Sequence, residues 1–256
     1  MKNAIVFGSS EGIGKAIATC LLQEGNRIIL FSRNIEKLSQ TAKELKTISP
    51  EVYYINGDIS NKSDREKIFK YVEDNFGGCD ILINNNGGPK TGNIETLSSE
   101  EWITGFNDFA IPVLHAIQHV LPYMKKNKWG RIITIGSLAV KEPIDNLDLS
   151  NFIKTGLTAV HRTLTHNVAK DNINVHLVHP AAILTERSVK RIQERADLMN
   201  ITYEESLKIS ESRIPKGELG KPSDIGELVA FLCSSKADYL TGLSVQVDGG
   251  MQKTLN

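Results

Sequence analysis

The sequence predicts an α/β protein: one parallel sheet of seven strands, covered on both faces by helices, in a single domain over residues 1–256. Three observations predict it. Short β-branched runs alternate with longer segments of helical pattern, the order of repeated βαβ units. The first run leads straight into a glycine-rich turn and then a helical pattern. At 256 residues the chain has room for one large α/β domain or two small ones, and the order of the motifs below favours one.

The strands are read, in order, at "NAIVF" (3–7), "RIILF" (27–31), "VYYIN" (52–56), "DILIN" (80–84), "RIITI" (131–135), "INVHLV" (173–178) and "LSVQV" (243–247). Helices are expected between them near 12–24, 34–47, 61–75, 99–126, 150–170, 186–212 and 222–235. Some starts are marked by capping chemistry: Asn61 and Ser63 precede one helical run, and Pro222 and Ser223 enter another with acids in its first turn. The segment 186–212 is charged, with an i, i+4 pattern that suggests exposed helices and a lid over a substrate site.

Thirty basic and thirty acidic residues balance, so neither a nucleic-acid backbone nor an anionic membrane is an expected partner, and a small molecule is. No apolar run reaches the ~18 residues of a membrane span. Cys20, Cys79 and Cys233 are widely spaced among apolar neighbours and read as reduced core thiols. The expectation is a soluble, cytoplasmic protein.

The turn after the first strand reads "GSSEGIG", placing Gly8, Gly12 and Gly14 at G-x-x-x-G-x-G. Such a turn brings bare backbone amides and the positive end of a helix up to a pyrophosphate. Farther on come "GDIS" (57–60), "NNNG" (84–87), "GRIITIGS" (130–137), Lys154, "HPAAILT" (179–185) and "TGLSVQVDGG" (241–250). With that turn, they stand in the order found in short-chain dehydrogenases/reductases, which the chain resembles over essentially its whole length. Within that family it looks most like proteins similar to 3-oxoacyl-acyl-carrier-protein reductase that carry "NNxGGPK" and "SLAVKEP" stretches and lack the usual tyrosine.

The resemblance implies a doubly wound Rossmann sheet, a nicotinamide dinucleotide and a homo-oligomer, tetramer or dimer. By it, the cofactor-binding candidates are Gly8, Ser10, Gly12, Ile13 and Gly14 in the turn, Asp58 and Ile59 at the adenine, and Asn84, Asn85 and Gly87 beside the cofactor. Pro180, Ile183 and Thr185 match the family's P-G-x-x-x-T, whose threonine bonds the nicotinamide amide; Ala181 stands for its glycine. Asn86 replaces the usual alanine, and its amide is expected to face the ribose or adenine side. At the end of the second strand stand Ser32 and Arg33 in place of an acid, which favours NADP(H), with NAD(H) the alternative: a hydroxyl and a guanidinium hold a phosphate that a carboxylate would repel.

Carbonyl reduction needs a hydride and a proton. Ser137 matches the family's carbonyl-orienting serine and Lys154 its ribose-binding lysine, but Ser150, four residues before Lys154, occupies the tyrosine's place. A serine hydroxyl is less acidic and shorter than a phenol, so a water would have to bridge. The family's relay asparagine in the preceding long helix falls on Phe109, after Asn107 and Asp108. The expected activity is hydride transfer between nicotinamide and a carbonyl or secondary alcohol, with Ser137, Ser150 and Lys154 catalytic. The alternative is a nucleotide-binding homologue without hydride transfer, serving as a sensor or oligomer partner. Tyr203 in the lid reads as packing, Asp145 and Asp148 as capping or solvated acids. His115 and His119 read as a helix interface, and His176 and His179 face opposite sides of a strand, so no metal site is expected.

Overall fold

The computed structural model describes residues 1–254. Its strands are β1 (Asn3–Phe7), β2 (Arg27–Ser32), β3 (Val52–Asn56), β4 (Ile81–Asn84), β5 (Gly130–Ile135), β6 (Ile173–Pro180) and β7 (Ser244–Val247). They form one sheet in the order β3-β2-β1-β4-β5-β6-β7, and every neighbouring pair is parallel. The helices are α1 (Gly12–Gln23), α2 (Ile35–Lys46), α3 (Lys62–Phe76), α4 (Ser99–Gly105), α5 (Ile111–Asn127), α6 (Asp148–Val168), α7 (Glu186–Met199), α8 (Tyr203–Glu211) and α9 (Pro222–Cys233).

Alternation along each strand divides the core in two. Ala4 and Val6, Ile28 and Leu30, and Ile81 and Ile83 pack with Ile17 and Leu21 of α1, Leu38 of α2, and Ile225 and Val229 of α9. Ile5 and Phe7, Ile29 and Phe31, and Leu82 point the other way, onto Ile68 and Phe69 of α3, Val113 and Ala116 of α5, and Ile153 and Leu157 of α6. A strand buried on both faces has no polar side to show, which is why these runs read as continuously apolar. The strand order reverses between β1 and β4, and the crevice at their carboxyl ends is where open α/β sheets bind ligands.

Three expected helices differ in detail. The segment 99–126 is broken by a π-helical turn, Phe106–Ala110, in which the Ile111 N–H reaches back to the Phe106 carbonyl. Pro112 has no N–H for the carbonyl four residues back, so an unbroken α-helix cannot pass through it at full pairing. The segment 186–212, expected as a lid, is two helices, because Asn200 takes φ +52° at the end of α7 and Thr202 opens α8 with a capping box. Helix α6 starts at Asp148, whose carboxylate accepts from the Ile94 N–H at 2.9 Å. Asn61 caps α3, accepting from the amides of Ser63 and Asp64, worth about 1 kcal/mol.

His115 and His119 sit in the α3–α5 contact: Arg65 Nε donates to His115 Nδ1 at 3.3 Å, and His119 stacks on Phe69 with centroids 4.2 Å apart. Among the described residues no group of His, Cys, Asp and Glu is arranged to hold a metal, and no helix is long and apolar enough to cross a membrane. The three cysteines are free and buried, and desolvation pushes the Cys20 thiol up to about 11 and that of Cys233 to about 12. Such thiols stay protonated and unreactive.

Candidate active site

The glycine-rich turn fills the crevice end of β1. Gly8 and Gly12 adopt φ +60° and +56°, left-handed conformations that a side chain resists. A Cβ on Gly14 would lie 2.2 Å from the Gly8 carbonyl oxygen, and one on Gly8 would lie 2.3 Å from that of Asn85. Asn85 gives its side-chain amide to the Gly8 and Phe7 carbonyls at 3.1 and 3.3 Å, tying the β4 loop to the turn. Glu11, the residue before α1, makes no side-chain cap, so the first amides of that helix are left for an anion. This cradle of close backbone, which no side chain could share, fits a dinucleotide pyrophosphate.

The end of β2 adjoins it. Ser10 Oγ and Ser32 Oγ are 2.9 Å apart, and Arg33 is 78% exposed with its guanidinium 3.7 Å from Asp58 Oδ2, loosely enough held to turn to a ligand. Asp58 also accepts from the Ser60 amide and hydroxyl, which fixes the turn carrying Ile59. Lys37, on the first turn of α2, bridges Glu11 of the glycine turn and Glu186 of α7, the latter at 2.8 Å. The two carboxylates hold the Lys37 ammonium above its ordinary pKa. This bridge from the turn to α7 was not legible in the sequence. Neither was Arg187, whose guanidinium stands 3.8 Å from where a Cβ on Gly87 or Gly88 would lie.

Lys154 and Ser137 converge at the end of β5. Lys154 is 5% exposed, and its Nζ donates to the Ile135 carbonyl at 3.2 Å. Burial brings its pKa down to about 8, so ammonium and amine are both accessible near neutrality. Two residues beyond Ile135, Ser137 caps a short 3₁₀ turn, its Oγ accepting from the Ala139 amide at 3.2 Å. That leaves the hydroxyl hydrogen of Ser137 for an external acceptor. Ser150 is half-buried one turn before Lys154, and its hydroxyl has no hydrogen-bond partner among the described residues.

Behind Lys154 runs a buried chain that sequence reasoning missed. Asn84 Nδ2 donates to Thr134 Oγ1 at 3.2 Å, Thr134 Oγ1 meets His161 Nε2 at 2.7 Å, and His161 Nδ1 meets the Leu157 carbonyl at 2.7 Å. A carbonyl only accepts, so Nδ1 carries the proton and Nε2 accepts from the threonine. Desolvation above all, with Lys154 adding to it, lowers His161 to about 4, so the ring is neutral. The Oδ1 atoms of Asn84 and Asn86 are buried and have no hydrogen-bond partner among the described residues.

Asn86 corrects one expectation: its Nδ2 donates to the Phe109 carbonyl at 3.0 Å, so the amide is turned to the π-helical turn, where the widened backbone offers that carbonyl. The turn stands at the place where resemblance located a missing asparagine. Thr185 caps α7 by accepting from the Ser188 amide, and its methyl faces Gly12, 3.4 Å from where a Cβ would stand. Pro180 ends β6, and Ile183 bridges to Gly220. Tyr203 packs against the cluster of Ile192, Ile214 and Leu219.

The chain matches a family model described as enoyl-(acyl carrier protein) reductase over residues 8–252. It is 29% identical over 256 residues to the NADPH-dependent reductase BacG of Bacillus subtilis, covering 99% of both proteins. It is 30% identical over 257 residues to the (S)-acetoin-forming diacetyl reductase of Staphylococcus epidermidis, covering 98% of each. Among solved structures, L-sorbose reductase from Gluconobacter frateurii, complexed with NADPH and L-sorbose, superposes with a TM-score of 0.94 at 30% identity, over 99% of this chain and 97% of that one.

Proposed function

The chain belongs to the short-chain dehydrogenase/reductase family, and from that premise we propose that it is an NADP(H)-dependent oxidoreductase acting on a small carbonyl or secondary alcohol. The carrying observation is that the glycine cradle, Ser137 and Lys154 converge on the crevice beside β1, β4 and β5. NADPH stands in the names of BacG and of the sorbose reductase complex, which supports NADP(H) over NAD(H). Ser10, Ser32 and Arg33 would hold the 2′-phosphate. Asp58 and Ile59 would line the adenine, Asn84 and Gly87 the ribose side, and Pro180, Ile183 and Thr185 the carboxamide. The lid is α7 with α8.

When bound, the nicotinamide supplies or accepts the hydride. The chain's own residues handle the oxygen and the proton. Ser137 donates its free hydroxyl hydrogen to the substrate oxygen as charge develops there. Lys154 holds the ribose, and with a pKa of about 8 it gives up and regains a proton in the working range. Ser150 passes that proton through a bridging water, since its side chain is too short to reach alone. Ser150 in the tyrosine's place, its hydroxyl without a hydrogen-bond partner among the described residues, motivates the second reading, a nucleotide-binding homologue that has lost hydride transfer.

The test is calorimetric titration with NADPH and NADH, followed by turnover of a panel of aldehydes, ketones, 3-oxoacyl thioesters and sugars. NADPH binding with turnover that Ser137→Ala abolishes is expected. Binding without turnover of any carbonyl or alcohol supports the second reading, and failure to bind either nucleotide overturns both.

A further inference from the structure

We propose that His179 is a positioning residue for Ser137: its imidazole holds the serine's peptide N–H and so aims the hydroxyl that meets the substrate oxygen. The inference rests on the catalytic reading of Ser137 above. His179 is wholly buried near the carboxyl end of β6. The Ser137 N–H donates to His179 Nδ1 at 3.1 Å, and His179 Nε2 lies 2.7 Å from Ser244 Oγ on β7. A peptide N–H can only donate, so Nδ1 is bare and the ring proton sits on Nε2, from which it is donated to the Ser244 hydroxyl. The ring therefore staples three consecutive strands of the sheet at the level of the site.

The neighbouring backbone is shaped for this ring. A Cβ on Gly136 would stand 2.3 Å from His179 Nδ1, so any larger residue there displaces the imidazole. Ser137 is held at both ends, its N–H by His179 and its Oγ by the Ala139 amide at 3.2 Å, which leaves one rotatable hydrogen as its free donor. The charged and titratable groups facing the ring are Lys141 in the turn after Ser137, and Lys154 and His161 on α6, with no carboxylate among them. Burial first, then the two lysines, lower its pKa to about 4, so Nδ1 remains an acceptor throughout the neutral range. Nothing in hydride or proton transfer uses His179 directly, and its two bonds run to a backbone amide and a structural serine.

The experiment compares wild type with His179→Ala, His179→Asn, Gly136→Ala and the Gly136→Ala/His179→Ala double variant. Steady-state reduction of a carbonyl is measured together with calorimetric NADPH affinity and the ¹⁵N–¹H shift of the Ser137 amide. Asparagine places Oδ1 the same number of bonds from the backbone as Nδ1 and keeps the acceptor. His179→Ala is expected to lower kcat on the order of 10- to 100-fold with NADPH affinity unchanged, and His179→Asn to recover most of it. Gly136→Ala should cost as much alone yet add nothing in the His179→Ala background, the non-additivity of two changes acting on one contact. The Ser137 amide shift should move in His179→Ala and return toward wild type in His179→Asn. The proposal is overturned if His179→Ala keeps wild-type kcat, if Asn rescues neither kcat nor the amide shift, or if the double variant is additive. A wild type that binds NADPH but turns over nothing sinks the catalytic reading of Ser137 itself. The amide shift then still reports whether the bond exists, so the two failures are told apart.

Discussion

Replacing Lys154 by methionine should make the protein more stable while weakening its hold on cofactor. Burial takes the Lys154 pKa from its ordinary 10.5 to about 8. At about 1.4 kcal/mol per pKa unit, its charged form is therefore disfavoured in the fold by about 3 kcal/mol near neutral pH. The ammonium's bond to the Ile135 carbonyl at 3.2 Å returns about 1 kcal/mol that methionine forfeits. The net expectation is a gain of about 2 kcal/mol at neutral pH, since methionine occupies a similar volume along the same path. Between about 8 and 10.5 the unfolded chain binds the proton that the folded chain has released, so wild-type stability rises with pH across that window. The penalty is complete below about pH 8 and gone above 10.5, so the advantage of Lys154→Met should shrink steadily as the pH is raised toward that upper limit. Urea unfolding of both proteins at matched ionic strength, near neutral pH and near the upper end of the window, reads the difference as a change in midpoint. A methionine variant less stable than wild type at neutral pH, or a gap that does not depend on pH, would refute the argument.

Three further outcomes are expected. Gly14→Ala puts a Cβ 2.2 Å from the Gly8 carbonyl and 2.7 Å from the Asn85 amide, so the turn must open; it should destabilise by roughly 2 kcal/mol and weaken NADPH binding, and calorimetry showing wild-type affinity would contradict the cradle. Arg33→Glu should weaken NADPH binding roughly 10- to 100-fold, the worth of a charge-assisted contact, and leave NADH nearly unchanged; equal losses for both nucleotides would remove Arg33 from the 2′-phosphate. Ser150→Tyr sets a phenol one turn before Lys154, and if a water-bridged serine is the slow proton route it should raise kcat roughly 100-fold; a fall in kcat would argue that the pocket is built around the serine and its water.

The strands were legible because a β-branched run such as "RIILF" carries its own signal, and every one of the seven is present within a few residues of its expected bounds. Helix breaks were less so. Pro112 is visible in the sequence, but whether a helix answers it with a kink or a π-turn depends on what packs beside it, and here the Asn86 amide, from the loop after β4, donates to the Phe109 carbonyl within the π-turn. The same amide was expected to face cofactor, because the sequence says that it is polar and beside the crevice but not which way it turns. Lys154 was recognisable from its place after the fifth strand; its burial and lowered pKa were not. In the sequence His179 stands three places from His176 near a strand end, a spacing that says nothing of a serine dozens of residues before it. The signal that could have found it was Gly136 ahead of Ser137, a residue small enough to leave an imidazole room.

By itself the sequence determined the α/β class, the glycine turn and the residues matching the family's site, since these follow from local periodicity, backbone freedom and motif order. Tertiary structure alone decided how those residues are held. The pairing of Ile135 with Val178 and of Leu177 with Ser244 sets three strand ends side by side, which lets a histidine from the second reach a serine after the first and another on the third. No spacing along the chain encodes that meeting, because it depends on the register of strands that lie dozens of residues apart.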